Sequence, residues 1–192
     1  MKFHQILFRF YESAAKKMCE ECREFILPDA KILDVGCDSG IIAKTFADCF
    51  STEVSGTDIE DNRIVPIPFK VAAEDELPFP DNSFDIILIN YVLHHSQNPL
   101  KILREAKRVS RQRIIIYEDL PAGFWAKMRC WLHQTTYNIF FKGERKKFSF
   151  KTEKEWIKLF DELELTVLKS SRASVRFDLF DPVKRNLFVL EK

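Results

Sequence analysis

Residues 32–40 read ILDVGCDSG, a short apolar strand that ends in an acid and runs into a glycine-containing turn before a helix begins. The apolar residues suit a buried strand. Gly36 and Gly40 allow the backbone to turn tightly and approach a ligand, and the amides at the start of the next helix point toward that ligand. The stretch therefore predicts a pocket for an adenosine-containing cofactor at the end of a buried strand.

The acids of this stretch indicate which kind of cofactor fits. A dinucleotide-binding turn reads G-x-G-x-x-G, whereas Asp38 and Ile41 stand at its second and third glycine positions here. An anionic Asp38 would repel a pyrophosphate, and Asp34 adds a second carboxylate that can face an ammonium group. The pattern favours a cationic or zwitterionic ligand over NAD.

Two motifs in the same order resemble those of the class I S-adenosylmethionine-dependent methyltransferases. Residues 32–40 resemble the first motif of that family, D-x-G-C-G-x-G. Residues 77–99, LPFPDNSFDIILINYVLHHSQNP, resemble the segment around the fourth strand in its quinone-biosynthesis type. Two ordered motifs are more specific than a single glycine turn. The resemblance covers residues 30–119 well and the remainder in outline.

The resemblance implies a fold, a cofactor and a reaction. The expected fold class is α/β, a Rossmann-like class I methyltransferase fold. It has a mostly parallel seven-stranded sheet with an antiparallel last strand, helices on both faces and a helical lid insertion. We expect one domain, divided into an N-terminal helix (1–28), a cofactor-binding core (29–119), a substrate lid insertion (120–150) and a C-terminal helix with closing strands (151–192). S-adenosylmethionine is the implied cofactor and methyl transfer the implied activity.

Cofactor residues follow from position, because ligands of such sheets bind at the carboxyl ends of the strands. Asp58, directly after the second strand, is expected to accept both ribose hydroxyls, and Ile59 packs either on the adenine or in the core. Ala73 stands where the family usually has an adenine-binding aspartate, so that contact is lost unless Glu74 or Asp75 replaces it. The predicted cofactor-binding residues are Asp34, Gly36, Cys37, Asp38, Gly40, Asp58, Ile59, Glu74, Asp75 and Asn90.

The sequence offers fewer catalytic candidates than cofactor-binding residues. Methyl transfer from a sulfonium is a displacement, which needs a base only when the acceptor carries a proton to lose. His94 and His95 follow the fourth strand, and Glu118 ends the fifth; packing and helix capping are the alternative roles of the histidines. Predicted substrate residues lie on the first helix, after the fifth strand and on the lid: Tyr11, Asp119, Trp125, His133 and Tyr137. The aromatic lid residues are expected to pack partly in the core and to suit an apolar or planar acceptor.

Composition excludes several other classes of protein. The chain has 192 residues, 46% of them hydrophobic, and a net charge of +1, which provides no global field for nucleic acid. Five cysteines form no paired framework, so we expect a reducing, cytoplasmic location. Cys19 and Cys22 form at most half of a metal site, and no metal is expected. The first ten residues lack the pattern of a signal peptide, and no apolar run reaches membrane-spanning length.

Alternating strand and helix patterns predict a doubly wound sheet. Strands are expected at 30–35, 53–57, 69–72, 84–90, 113–117, 165–171 and 187–190. Helices are expected before Pro28, over 39–50, after an Asn98 cap, and after a Thr152–Glu155 capping box. Residues 59–68 contain two prolines and are too short for a crossover helix, so a turn or a single helical turn is expected between the second and third strands.

Two alternatives to a small-molecule methyltransferase remain open at this stage. Asp38 and Ala73 depart from the family pattern and would also suit a degenerate domain that works as a binding module. The apolar first helix and the aromatic lid would suit a peripheral lipid or quinone methyltransferase. The expected partner is a small-molecule substrate, with no nucleic acid, no integral membrane contact, peripheral association as an option, and a monomer or homodimer. The basic segment 142–147 is more typical of a solvated loop than of a nucleic-acid patch, but the phenylalanines around it make it the one segment that would suit an anionic partner.

Overall fold

A computed structural model describes residues 3–73, 76–121, 123–140, 149–174 and 183–192, without the side chains of 3–7, 133–134 and 136–140. The helices are α1 (Phe3–Cys22), α2 (Ile41–Phe50), α3 (Pro99–Val109), α4 (Phe124–Phe140) and α5 (Glu153–Glu162). The strands are β1 (Ile32–Val35), β2 (Val54–Asp58), β3 (Phe69–Val71), β4 (Phe84–Asn90), β5 (Ser110–Leu120), β6 (Thr166–Arg172) and β7 (Lys184–Glu191).

The strands form one sheet in the order β3-β2-β1-β4-β5-β7-β6. β7 is antiparallel to both β5 and β6, whereas the pairs among β1 to β5 are parallel. The predicted seven-stranded sheet with an antiparallel last strand is therefore confirmed. The strands follow one another outward from β1 to β3 on one side and from β4 to β5 on the other, so the strand order reverses between β1 and β4. In open sheets of this kind ligands bind in the crevice at that point.

Both faces of the sheet are covered by helices, as predicted. Side chains of β1 alternate between the two cores: Ile32 packs with Met18 and Phe46 on the face of α1 and α2, and Leu33 packs with Trp156 on the face that includes α3 and α5. Every residue of β1 is buried, and β4 is buried at all but one position. Strands buried on both faces read as continuous apolar runs, which is why Asp34 stands out within β1.

The predicted helix starts are confirmed. The Asn98 side chain accepts a hydrogen bond from Lys101 N, with Pro99 in the first turn, and Thr152 and Glu155 form the reciprocal capping box. Residues 59–68 contain no helix, as expected. β5 is longer than the predicted 113–117, because β4 pairs with it from Ser110 and β7 pairs with it as far as Leu120.

The expectation that the lid aromatics pack partly in the core is wrong for the largest of them. Phe124, Trp125 and Trp131 on α4 are exposed. Helical spacing places them on one face, but it does not say whether that face points inward. No helix among the described residues is long and apolar enough to cross a bilayer.

Gly56 in β2 leaves no room for a side chain. A Cβ added there would come within 2.5 Å of Cys37 Sγ and 2.8 Å of Ile67 Cδ1. We expect Gly56→Ala to lower the free energy of unfolding by about 1–3 kcal/mol through overpacking, measured by urea denaturation. Ser55→Ala on the same strand is the control and should change stability by less than about 0.5 kcal/mol. Equal stability of the two variants would contradict the packing argument.

Candidate active site

Asp34 and Asn90 bring two polar side chains together at the centre of the sheet. Asp34 in β1 is 1% exposed and accepts a hydrogen bond from Asn90 Nδ2 in β4 at 2.9 Å. Among the described residues, neither the second carboxylate oxygen, Asp34 Oδ2, nor the amide oxygen Asn90 Oδ1 has a hydrogen-bond partner. Each buried acceptor without a donor costs about 1–3 kcal/mol. The pair therefore suits a ligand that brings N–H donors into the crevice.

The pKa of Asp34 supports the same conclusion. Burial raises it from 3.8 to about 7, with the nearby Asp58 adding to the increase and the Asn90 hydrogen bond opposing it. An adjacent cation would favour the ionised form and lower that pKa. A ligand ammonium at this position would therefore find a carboxylate that ionises in response to it.

The glycine loop between β1 and α2 is held against β2. Gly36 has a φ of +74°, and an added Cβ would clash with the Val92 side chain, so only glycine fits there. Asp38 adopts a φ of +42°, a left-handed conformation that a short acid tolerates. Its amide donates to Asp58 Oδ2 at 2.8 Å, which ties the loop to the end of β2.

Asp58 lies where the sequence places a ribose ligand. Its two carboxylate oxygens accept from the amides of Asp38 and Ile59, at 2.8 and 2.7 Å. Each oxygen keeps a further lone pair, so the carboxylate can still accept hydroxyl hydrogen bonds. The Ile59 side chain is 46% exposed, so the alternative of an ordinary core residue is wrong. An exposed apolar side chain beside Asp58 is suited to a planar base.

The other predicted cofactor residues are Gly40, Cys37, Glu74 and Asp75, and they differ in their surroundings. Gly40 caps α2 in a left-handed conformation beside the loop. Cys37 is buried, and burial raises the pKa of its thiol, so it contributes packing rather than charge. Glu74 and Asp75 lie outside the described residues. Tyr11, a predicted substrate residue on α1, is half-buried, and burial together with the Asp38 charge raises the pKa of its hydroxyl.

A buried histidine–carboxylate pair lies at the carboxyl ends of β4 and β5: His94 follows β4, and Glu118 is among the last residues of β5. His94 Nδ1 is 2.9 Å from Glu118 Oε2 and 3.2 Å from Oε1, and the exposures of the two residues are 2% and 0%. Glu118 Oε1 also accepts from Leu93 N at 3.1 Å. Burial works against the imidazolium form, but the Glu118 charge and hydrogen bond outweigh it, so the pKa of His94 is raised. Glu118 thus orients the His94 ring.

The end of the lid segment also contacts His94. The Phe150 ring stacks on the His94 ring at 4.9 Å, and Ser149 N donates to the His94 carbonyl at 2.7 Å. Phe150 in turn packs against Ala126 and Cys130 of α4. The segment 120–150 therefore leaves the sheet at the carboxyl end of β5 and returns beside His94, at the edge where the cofactor motifs lie.

Arg185 is a charged residue of this region that the sequence motifs did not indicate. Its Nε lies 3.2 Å from Asp119 Oδ1, and its guanidinium lies 5.9 Å from the centre of the Tyr91 ring. The antiparallel register of β5 and β7 sets Arg185 opposite Asp119 and so brings Arg185 to the crevice. Asp119 is therefore paired with a buried cation.

The remaining predicted residues are not all brought to the crevice. The His95 ring lies 4.2 Å from the His94 ring. Trp125 is 66% exposed on the face of α4 that points away from Phe150. The side chains of His133 and Tyr137 lie outside the described part of the structure. Within that part, no three His, Cys, Asp or Glu residues are arranged to hold a metal ion.

Comparison with known proteins identifies the family of this chain. Residues 7–170 match the family model described as a methyltransferase domain. An uncharacterised methyltransferase of Bacillus subtilis is 31% identical over 103 residues, which is 48% of this chain and 39% of that protein. The ubiquinone/menaquinone biosynthesis C-methyltransferase of Burkholderia mallei is 28% identical over 108 residues, or 48% of this chain and 44% of that protein. The chain thus spans less than half the length of these two curated relatives.

A solved structure has the same fold over the whole chain. Magnesium protoporphyrin IX methyltransferase from Synechocystis, solved with bound S-adenosylhomocysteine, aligns with a TM-score of 0.69 and 15% identity. The alignment covers 100% of this chain and 88% of that one. Since the family model covers most of the sequence and the sheet order agrees with the family fold, the chain belongs to the class I S-adenosylmethionine-dependent methyltransferases.

Proposed function

We propose that this protein transfers a methyl group from S-adenosylmethionine to a small organic acceptor of apolar or aromatic character. The observation that carries the proposal is the pair of buried acceptor atoms, Asp34 Oδ2 and Asn90 Oδ1, which have no donor among the described residues. They lie beside the glycine loop and suit the ammonium of an amino acid. When bound, the cofactor supplies an electrophilic methyl group on a sulfonium.

The chain's own residues divide the work of holding that cofactor. Asp34 and Asn90 accept from the ammonium, and Asp58 accepts from the ribose hydroxyls while its amide hydrogen bonds keep it in place. Ile59 provides an apolar surface for the base, and we assign Tyr11 of α1, which interacts with the Asp38 charge, to closing over the cofactor. The acids at Asp34 and Asp38 would repel the pyrophosphate of a dinucleotide.

His94 is the best-supported candidate for a general base. Because Nδ1–H is directed to Glu118, proton acceptance falls to the other ring nitrogen, Nε2. Glu118 is a positioning residue in this proposal, since it is fully buried and acts through His94. A base is required when the acceptor atom is a hydroxyl or an acidic carbon, and it contributes about 10²–10⁴-fold to the rate.

The acceptor class is inferred from the surroundings of His94. The Phe150 ring, which is stacked on the His94 ring, presents apolar surface there. One relative is a quinone-biosynthesis C-methyltransferase, which is consistent with an aromatic acceptor. We assign acceptor selection to the segment 120–150 and cofactor binding to 29–119, within one domain. A degenerate binding module is the alternative, and measured turnover separates the two.

Cofactor binding tests the assignment of Asp58. We expect S-adenosylhomocysteine, but not NAD, to bind in titration calorimetry, and Asp58→Ala to weaken that binding by about 1.5–3 kcal/mol, because charge-assisted hydrogen bonds to the ribose are lost. Asp48→Ala removes an exposed acid of α2 and is the matched control, with unchanged affinity expected. Tight NAD binding, or an unchanged dissociation constant for the Asp58 variant, would contradict the assignment.

The histidine–carboxylate pair is tested by substitution and pH. His94→Ala should lower turnover by about 100-fold or more while S-adenosylhomocysteine still binds, measured as product release with a panel of phenols and hydroquinones. His95→Ala is the comparison variant, and its turnover should fall much less than that of His94→Ala. Since Glu118 raises the pKa of His94, Glu118→Gln should move the acidic limb of the rate profile to lower pH, because a base is active only when deprotonated.

A direct readout keeps this prediction independent of the acceptor. Nuclear magnetic resonance of the histidine rings should show a lower pKa for His94 in the Glu118→Gln variant than in the native protein. Full turnover by folded His94→Ala would exclude His94 as the base. An unchanged His94 pKa would exclude Glu118 as the group that sets it.

A further inference from the structure

Helix α4 carries large apolar side chains on the face directed away from the protein. Phe124, Trp125 and Trp131 are 72%, 66% and 62% exposed, and Met128 and Leu132 are 37% and 43% exposed. At about 100° per residue these positions fall within a single arc of about 120°. We call these five residues the outer face of α4.

The opposite side of α4 is small and buried. Ala126 and Cys130 are 1% and 5% exposed and pack against Phe150 and Val183. By the same angular spacing they lie directly across the helix from the outer face. The helix thus directs its small residues inward and its large aromatic residues outward, the reverse of what core packing alone would select. Contiguous exposed apolar surface of this kind marks a binding surface.

Charge indicates what covers the outer face. Lys127 and Arg129 are exposed and lie on the two borders of the arc, one on each side. The sequence of α4 contains no acidic residue. Tryptophan and phenylalanine flanked by cations are the composition of helices that lie in the headgroup layer of a membrane, where the indoles enter and the cations contact lipid phosphates.

We propose that the outer face of α4 is a docking surface for an anionic lipid membrane. Basic residues on both borders match anionic headgroups on each side of a helix that lies flat, and the aromatic residues between them reach below the headgroups. This binding does not depend on the proposed methyl transfer. The effect of docking on the active site does rest on the proposed methyl transfer. The inward face of α4 contacts Phe150, which stacks on His94, so docking would bring the acceptor side of the crevice to the lipid surface.

Vesicle flotation tests the proposal with the whole chain. We expect the protein to float with vesicles of phosphatidylcholine and phosphatidylserine and to float much less with phosphatidylcholine alone. Replacing both exposed tryptophans, Trp125→Ser with Trp131→Ser, should lower the partition coefficient by at least about tenfold. Lys127→Gln with Arg129→Gln should lower it by about fivefold per charge on anionic vesicles, and added salt should do the same to the native protein.

Matched controls separate docking from misfolding and from the catalytic proposal. Leu168→Ser changes an apolar residue on β6 that is 41% exposed and should float as the native protein does. Intrinsic fluorescence should shift to the blue on vesicle binding; Trp156, the third tryptophan, is 0% exposed and does not report contact. Each variant is also titrated with S-adenosylhomocysteine, whose binding tests the proposed cofactor site independently of flotation.

Three results would overturn the docking proposal. One is the absence of flotation with anionic vesicles while S-adenosylhomocysteine still binds. Another is equal flotation of the Trp125/Trp131 variant and the Leu168 control. The third is a self-association, seen by analytical ultracentrifugation and lost in the tryptophan variant, without vesicle binding, which would assign the outer face to a second copy of the chain.

Discussion

A buried, incompletely hydrogen-bonded carboxylate at the centre of the sheet is the constraint on which the rest of the site depends. Asp34 sits in β1 between β2 and β4, and its one described side-chain partner is an amide. Burial raises its pKa to about 7, so the folded protein holds a proton there that the unfolded chain would release above a pH of about 4. Stability therefore falls as the pH rises from about 4 toward 7. A ligand cation offsets that loss, which is why we place the ammonium of the cofactor here.

The second organising feature is the way the lid segment connects to the candidate catalytic pair. Glu118 orients His94, Phe150 stacks on His94, and Phe150 packs on the inward face of α4. Contacts therefore run from the buried carboxylate of β5 to a helix whose other face is exposed and aromatic. In the proposed account, the methyl donor is held by the sheet, the acceptor is received by the lid, and His94 lies between them.

Local patterns made much of the fold and cofactor region predictable. The strand–turn–helix around Gly36, the Asn98 cap and the Thr152–Glu155 box are each encoded within a few residues, and all are seen. Long-range register was not predictable in the same way, because Arg185 reaches Asp119 only through the β5–β7 pairing. Spacing predicts that the aromatic residues of α4 share a face but not that this face is exposed, because helical periodicity carries no information on direction. The roles of the predicted site residues stay predictions.

Calorimetry of S-adenosylhomocysteine binding tests the central claim about Asp34 most directly. Titrations below pH 7 in buffers of different ionisation enthalpy measure how many protons leave on binding. If a ligand ammonium converts neutral Asp34 to the carboxylate, binding below pH 7 should release a large fraction of one proton. That release should vanish well above pH 7, where Asp34 is already ionised. The affinity for S-adenosylhomocysteine should rise as the pH increases toward 7. Asp34→Asn should bind more weakly and release no proton from this site. Proton release that is absent in the native protein, or unchanged in the variant, would contradict the account.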